Sequence, residues 1–180
     1  MAVNYFKNFP LVQYNEHALR NIILKAKIGK NLIQSYDAYY PYTIKAGETP
    51  TSLAYDYYGS VEYVWLIFLV NDIVDPYYDW PMDDSIFDEY IVKKYGSIAT
   101  AMNISLSSYY RNSNYSYYMT KTTYDNISAG ERTGWQPISN YNYELILNEE
   151  KRKIKLLDRS IVVDVSFELE RVLKKVNKVW

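Results

Sequence analysis

Between Tyr42 and Pro81 the spacing of apolar positions changes at almost every joint, and each change carries a stop signal. Tyr42, Ile44 and Ala46 alternate with polar neighbours, which predicts a short half-buried strand. Gly47-Glu48 then turns the chain. Thr49 is placed to cap a helix, and Pro50 suits the first helical position, where a missing N–H costs nothing. Leu53, Ala54, Tyr57 and Tyr58 share one helical face, and Gly59 supplies a left-handed stop. Ser60 caps a second helix with Val61, Val64, Trp65, Phe68 and Leu69 inward, ending near Asn71-Asp72. The segment 42–81 therefore reads as one strand–helix–helix–strand unit.

Outside that segment the pattern is less even. Residues 1–14 have no clear period and read as an extended arm. Asn15 can cap a short helix with Leu19, Ile22, Ile23 and Ala26 on one face, closed by Gly29, although the β-branched content also permits a strand. After Pro81, Asp83 or Asp84 caps a helix aligning Phe87, Tyr90, Ile91 and Lys94, ended by Gly96; Ser97 restarts a helical turn that stops near Asn103. In residues 105–134, Tyr115, Tyr117, Met119 and Lys121 alternate with polar or aromatic neighbours. One or two strands or a long mobile loop fit equally. Tyr141, Tyr143, Leu145 and Leu147 alternate as a strand, Asn148-Glu149-Glu150-Lys151 turns, and Ile154 and Leu156 return, which predicts a β-hairpin. Ser160 caps a final amphipathic helix with Val162, Val165, Leu169, Val172, Leu173 and Val176 on one side. That face docks either on its own domain or in a neighbour's groove. The expected class is α+β, with an arm and short helix (1–41), the helical unit (42–103), and tyrosine-rich strands, hairpin and helix (104–180). A soft boundary falls near residue 103.

Several of these residues carry a resemblance. Tyr42, Ile44, Gly47, Glu48, Thr49, Leu53, Ala54 and Asn71 stand where the LysM domain has its Tyr-x-Ile/Val-x-x-Gly-Glu/Asp-Thr start, its Leu-Ala helix and its Asn. The usual LysM ending is replaced here by Asp75-Pro76-Tyr77-Tyr78-Asp79-Trp80-Pro81. With Tyr57-Tyr58-Gly59-Ser60, FDEYIVKKYGS, and the run YNYELILNEEKRKIKLLD, the chain resembles the baseplate wedge proteins of T4-like contractile-tailed phages. The resemblance implies a virion subunit made in the host cytoplasm, present in six copies in the tail baseplate, and bound to other wedge and hub-proximal proteins. The LysM likeness implies an alternative, binding of peptidoglycan or chitin-like glycans in a groove of Gly47, Glu48, Thr49, Pro50, Asn71, Ile73 and Val74.

Composition narrows the choice. Twenty Lys and Arg nearly balance 21 Asp and Glu, so no long-range field favours nucleic acid or an anionic membrane. Cysteine is absent, which removes disulfides, thiolate catalysis and zinc–cysteine sites. No charged start followed by an apolar stretch suggests a signal peptide, and the longest apolar run, Val64 to Val70, is far short of a membrane span. The 22 tyrosines, often in adjacent pairs, suit protein contacts, since Tyr gives large contact area at low entropy cost. Replacement of scarce Phe in the core is the plainer reading. Candidate interface anchors are Tyr77, Tyr78, Trp80, Tyr109, Tyr110, Tyr117, Tyr118 and Trp180.

No catalytic, cofactor or metal residue is nominated. The carboxylates Asp72, Asp75, Asp79, Asp83, Asp84, Asp88 and Glu89 are irregularly spaced, broken by Pro76 and Pro81, and lack a calcium-loop glycine. His17 is the only histidine, so neither a His-metal cluster nor a nucleophilic triad follows. Glu48 has no second carboxylate partner of the kind glycosidases need. Lys151, Lys153 and Lys155 alternate on a strand, where they offer a cationic face or guard an exposed edge.

Overall fold

The computed structural model describes residues 7, 9–21, 38–114 and 117–176; Ile22, Ile23, Ala26, Gly29, Tyr115 and Trp180 lie outside them. The class is α+β. The chain divides into two compact units, one of residues 1–79 with 153–180, the other of residues 80–152. The division therefore differs from one placed near residue 103: the second unit interrupts the first in sequence.

In the first unit, Leu11–Tyr14 (β1) and His17–Arg20 (β2) form an antiparallel hairpin, so the helix expected after Asn15 gives way to strand over the described residues. Asn15 takes the turn with φ 52°, a left-handed conformation its short polar side chain tolerates. Strand β3, Tyr39–Thr43, leads into helix α1, Pro50–Tyr58. Helix α1 starts as its sequence demands. The Thr49 hydroxyl accepts from Ser52 N, Ser52 Oγ accepts from Thr49 N, and Gly59 ends the helix at φ 78°. Leu53 and Ala54 are buried, with Tyr57 and Tyr58 half-buried beside them. After a turn capped by Ser60, helix α2 spans Val64–Val70. Its inward face is Trp65, Leu66 and Ile67; Val61 is exposed, so the buried stripe is rotated from the expected one.

The fourth element is where sequence and structure part. Residues 72–81 contain no strand; helix α3, Pro76–Asp79, occupies part of that stretch. The antiparallel partner of β3 is β7, Lys153–Leu157, with Tyr39 opposite Leu157 and Thr43 opposite Lys153. The expected hairpin of 141–147 with 154–156 is thus corrected: β7 pairs with β3, and 140–150 is helical. Asp158 N also donates to Ala38 O at 2.9 Å. Lys155 and Leu157 turn their backbone groups away from β3, which lets Pro41 sit opposite Lys155 without a missing ladder bond. Helix α8, Val162–Val176, follows a turn capped by Asp158 rather than Ser160. Trp65, Leu66, Leu157 and Val162 form the core, with Val165 and Leu169 packed against it. Leu173 is buried and Val172 exposed, so α8 meets its own unit along one stripe.

The second unit contains α4 (Asp84–Tyr95), α5 (Ile98–Met102), β4 (Tyr109–Asn112), β5 (Tyr118–Thr120), α6 (Lys121–Asn126), β6 (Trp135–Ile138) and α7 (Asn140–Glu150). The three strands make an antiparallel sheet in the order β5-β4-β6, so much of the 105–134 stretch is regular. Met82, Phe87, Ile91 and Ala101 form its core, packed by Tyr90, Tyr95, Ile98, Tyr141 and Leu145. Ser97 caps α5 as expected, and Gly96 ends α4 at φ 84°.

Candidate functional site

Residues 72–79 form a closed turn on the first unit. Helix α2 ends with Asn71 N donating to Ile67 O (3.3 Å), Asp72 at φ 53°, and Ile73 N donating to Phe68 O (3.0 Å). The Asp79 carboxylate then accepts from both Val74 N and Asp75 N at 2.9 Å. Asp75 accepts from Tyr77 N through its side chain, and from Tyr78 N and Asp79 N through its carbonyl. Two of the acidic residues flagged in the sequence are therefore parts of a backbone fastening. Among the described residues no group of three or more acidic or histidine side chains is arranged to hold a metal ion.

The groove residues are held from within. Gly47 makes the turn at φ 73°. The Glu48 carboxylate accepts from the Tyr42 hydroxyl (2.9 and 3.2 Å) and from Lys45 N (3.0 Å). Burial and the adjacent Glu48 push the Tyr42 hydroxyl up to about 12. Thr49 and Pro50 serve the start of α1. Asn71 behaves as a surrogate peptide: its amide donates to Ile67 O and Lys155 O, and its oxygen accepts from Lys155 N, all at 2.8 Å. Tyr58 repeats the arrangement two residues along β7, accepting from Leu157 N (2.9 Å) and donating to Leu157 O (3.2 Å). Burial raises its hydroxyl above the ordinary range. Asn71 and Tyr58 thus cover β7's outer edge in place of a third strand. Ile73 is half-buried and Val74 exposed.

The candidate aromatic anchors divide by exposure. Tyr77 is 86% exposed, Tyr117 68% and Tyr78 57%. Trp80, at 8%, is an interior residue instead. Tyr109 stacks on Tyr143 with centroids 3.7 Å apart, Tyr118 meets the edge of the same ring at 5.4 Å, and Tyr110 stacks on Tyr124 at 3.8 Å. Those three half-buried rings stabilise their own unit. Phe167 on α8, 64% exposed, was not among the anchors; its signal was a Phe lying off the helix's apolar stripe. On β7, Lys153 and Lys155 are exposed while Ile154 is buried, the alternation expected of it; Arg152 lies outside the strand and pairs with Glu149 at 3.0 Å.

Sequence reasoning also missed the polar interior of the second unit. Glu144 is 6% exposed and accepts from Tyr95 Oη (2.7 Å), Lys94 Nζ (2.8 Å) and Tyr90 Oη (3.0 Å). Burial alone would raise its carboxyl, but the three donors hold it below its ordinary value. Asn148 exchanges bonds with Met82 N (2.8 Å) and Met82 O (2.9 Å), and Asn140 takes Ser108 N and Leu106 O. No nucleophile or base stands beside this carboxylate among those contacts; it is a fastening between α4 and α7.

Comparison with known proteins agrees with a structural reading. Residues 2–131 match the family model described as base plate wedge protein 53. The chain is also 24% identical over 147 residues to the baseplate wedge protein gp53 of Enterobacteria phage T4, an alignment covering 74% of this chain and 73% of the relative. No helix among the described residues is long and apolar enough to cross a membrane. With its internal polar fastenings and exposed aromatic rings, the chain belongs to the base plate wedge protein 53 family and is a structural component of a phage tail baseplate.

Proposed function

We propose that the first unit is a LysM-like scaffold turned to protein binding, joining neighbouring wedge subunits around the hub of a sixfold baseplate. β3, α1, α2 and β7 supply the strand–helix–helix–strand order, the last strand arriving only after the second unit. The observation that carries the reading is the state of the groove. Glu48 and Asn71 have polar atoms engaged by their own fold, while Val74, Tyr77 and Tyr78 are among the exposed side chains nearby in sequence. A saccharide needs polar atoms free to meet its hydroxyls; a protein interface is anchored by aromatic rings. Size-exclusion chromatography of the chain with purified wedge proteins of the same phage tests this. Co-migration is expected. Retention on peptidoglycan that competes with chito-oligosaccharide, without any wedge complex, would favour the glycan reading instead.

A further inference from the structure

The first unit cannot be completed from its N-terminal stretch alone. Among the described residues β3 has one strand partner, β7, and Thr43 stands opposite Lys153, 110 positions further along (43 to 153). Leu157 and Val162, which form its core with Trp65 and Leu66, also lie beyond position 152. So do Ile161, Val165 and Leu169, packed around them. Until those residues arrive, Trp65 and Leu66 lack the apolar cover they provide. Closing so long a loop is slow, because chain entropy is lost before the burial that offsets it is gained.

The second unit is built differently. Its core, its three-stranded sheet and the bonds of Asn140 and Glu144 all join residues between 80 and 152. One fastening sits where the chain enters and leaves. The Asn148 side chain, 4% exposed, accepts from Met82 N at 2.8 Å and donates to Met82 O at 2.9 Å. A buried amide with both bonds made is held to one geometry, so the incoming chain is clamped to the outgoing chain just before β7 begins. Of the 110 positions between Thr43 and Lys153, this clamp spans 66, which leaves 44. Closure probability falls as loop length to the power of about 3/2, so the shorter path favours β3–β7 pairing about fourfold.

We infer that the second unit acts as a folding splint for the first. It folds first, within its own stretch of chain, and its Met82–Asn148 clamp delivers β7 to β3 across the shortened loop. β3, α1 and α2 then close on β7 and α8 in one later step. Splinting of this kind needs no partner, and it holds whether the first unit joins wedge subunits or binds glycan.

Refolding of the full chain from denaturant, sampled by pulsed hydrogen exchange, tests this. Amides of α4, β4 and α7 are expected to gain protection in an earlier phase than those of β3 and β7, which should appear together. Leu66→Ala, in the core of the first unit, is expected to leave the earlier phase unchanged. Asn148→Ala is expected to slow the β3–β7 phase about two- to fourfold, the upper figure applying where the second unit no longer folds. Asn140→Ala removes an equally buried amide away from the clamp; where the second unit still folds, it should leave the β3–β7 phase unchanged. Should Leu66→Ala leave β3 and β7 without protection altogether, the parent and Asn148→Ala decide. Protection of β3 and β7 that arrives with or before that of α4 and α7 overturns the splint. So does a β3–β7 phase indifferent to Asn148→Ala, or one slowed equally by Asn140→Ala while the second unit still folds.

Discussion

In the first unit, α2 and α8 close on β7 through Trp65, Leu66, Leu157 and Val162, and two polar side chains, Asn71 and Tyr58, cover the strand's outer edge. In the second, α7 turns Asn140, Glu144 and Asn148 inward, one above the next at i, i+4 and i+8, and each takes specific partners. The contrast lies in what each interior tolerates. An apolar contact adjusts to small shifts of its neighbours, whereas a buried carboxylate or amide needs each partner at hydrogen-bonding distance. A small unit with a modest apolar core gains one defined geometry from such polar fastenings. The same contrast separates the side chains that hold the subunit together from the few rings, Tyr77 foremost, that are left largely exposed.

Substitutions that strike each interior separately test this contrast. The largest effect is expected from Leu66→Ala, which empties a fully buried position of the first unit and should cost about 3 to 4 kcal/mol in denaturant unfolding. Glu144→Ala in the second unit should cost about 3 kcal/mol, since it strands the Lys94, Tyr90 and Tyr95 donors; Lys94 reaches solvent, which moderates the loss. Hydrogen exchange should then assign the damage: α4 and α7 amides lose protection in Glu144→Ala, and β3 and β7 amides in Leu66→Ala. If both substitutions loosen the same amides equally, the distinction between the two interiors fails. Asn71→Ala should cost about 1 to 2 kcal/mol and expose the Lys155 N–H to exchange.

The smallest effect is a pH dependence. Burial would raise the Glu144 carboxyl, yet the bonds from Lys94, Tyr95 and Tyr90 keep it below its ordinary 4.5. A carboxyl depressed by folding stabilises the fold fully above pH 4.5, and this contribution fades as pH falls through the lower folded value. Lys94 titrates in the opposite sense. Burial pulls it down, but the Glu144 and Tyr90 bonds raise it above 10.5, so its contribution persists below that pH and fades as pH rises through the folded value. The stability difference between parent and Glu144→Gln should therefore narrow as pH drops below 4.5. A constant gap down to pH 2 would contradict the charged network.

Much of the first unit was legible because its signals are local. Thr49, Pro50 and Gly59 bracket α1 within ten residues of one another, and Leu53-Ala54 marks its buried face. The identity of the closing strand was not legible, because β7 lies far down the chain and nothing near Asp75 announces that the strand is supplied from elsewhere. Helix α7 was misread for a different reason. Tyr141, Tyr143, Leu145 and Leu147 alternate as a strand would, while the positions that actually turn inward are polar and carry no hydrophobic period. Tyr77, Tyr78 and Tyr117 are exposed and Trp80 is buried, a difference not legible in the sequence because an aromatic residue reads alike in a core and at an interface.

A subunit that acts through rings left exposed by its own fold must have those rings covered in the assembled particle. A cryo-electron microscopy map of the intact baseplate would show whether they are. The expected map shows Tyr77 and Tyr78 covered by a neighbouring baseplate protein. A map in which both rings face solvent, while the subunit is held by other surfaces, would contradict it.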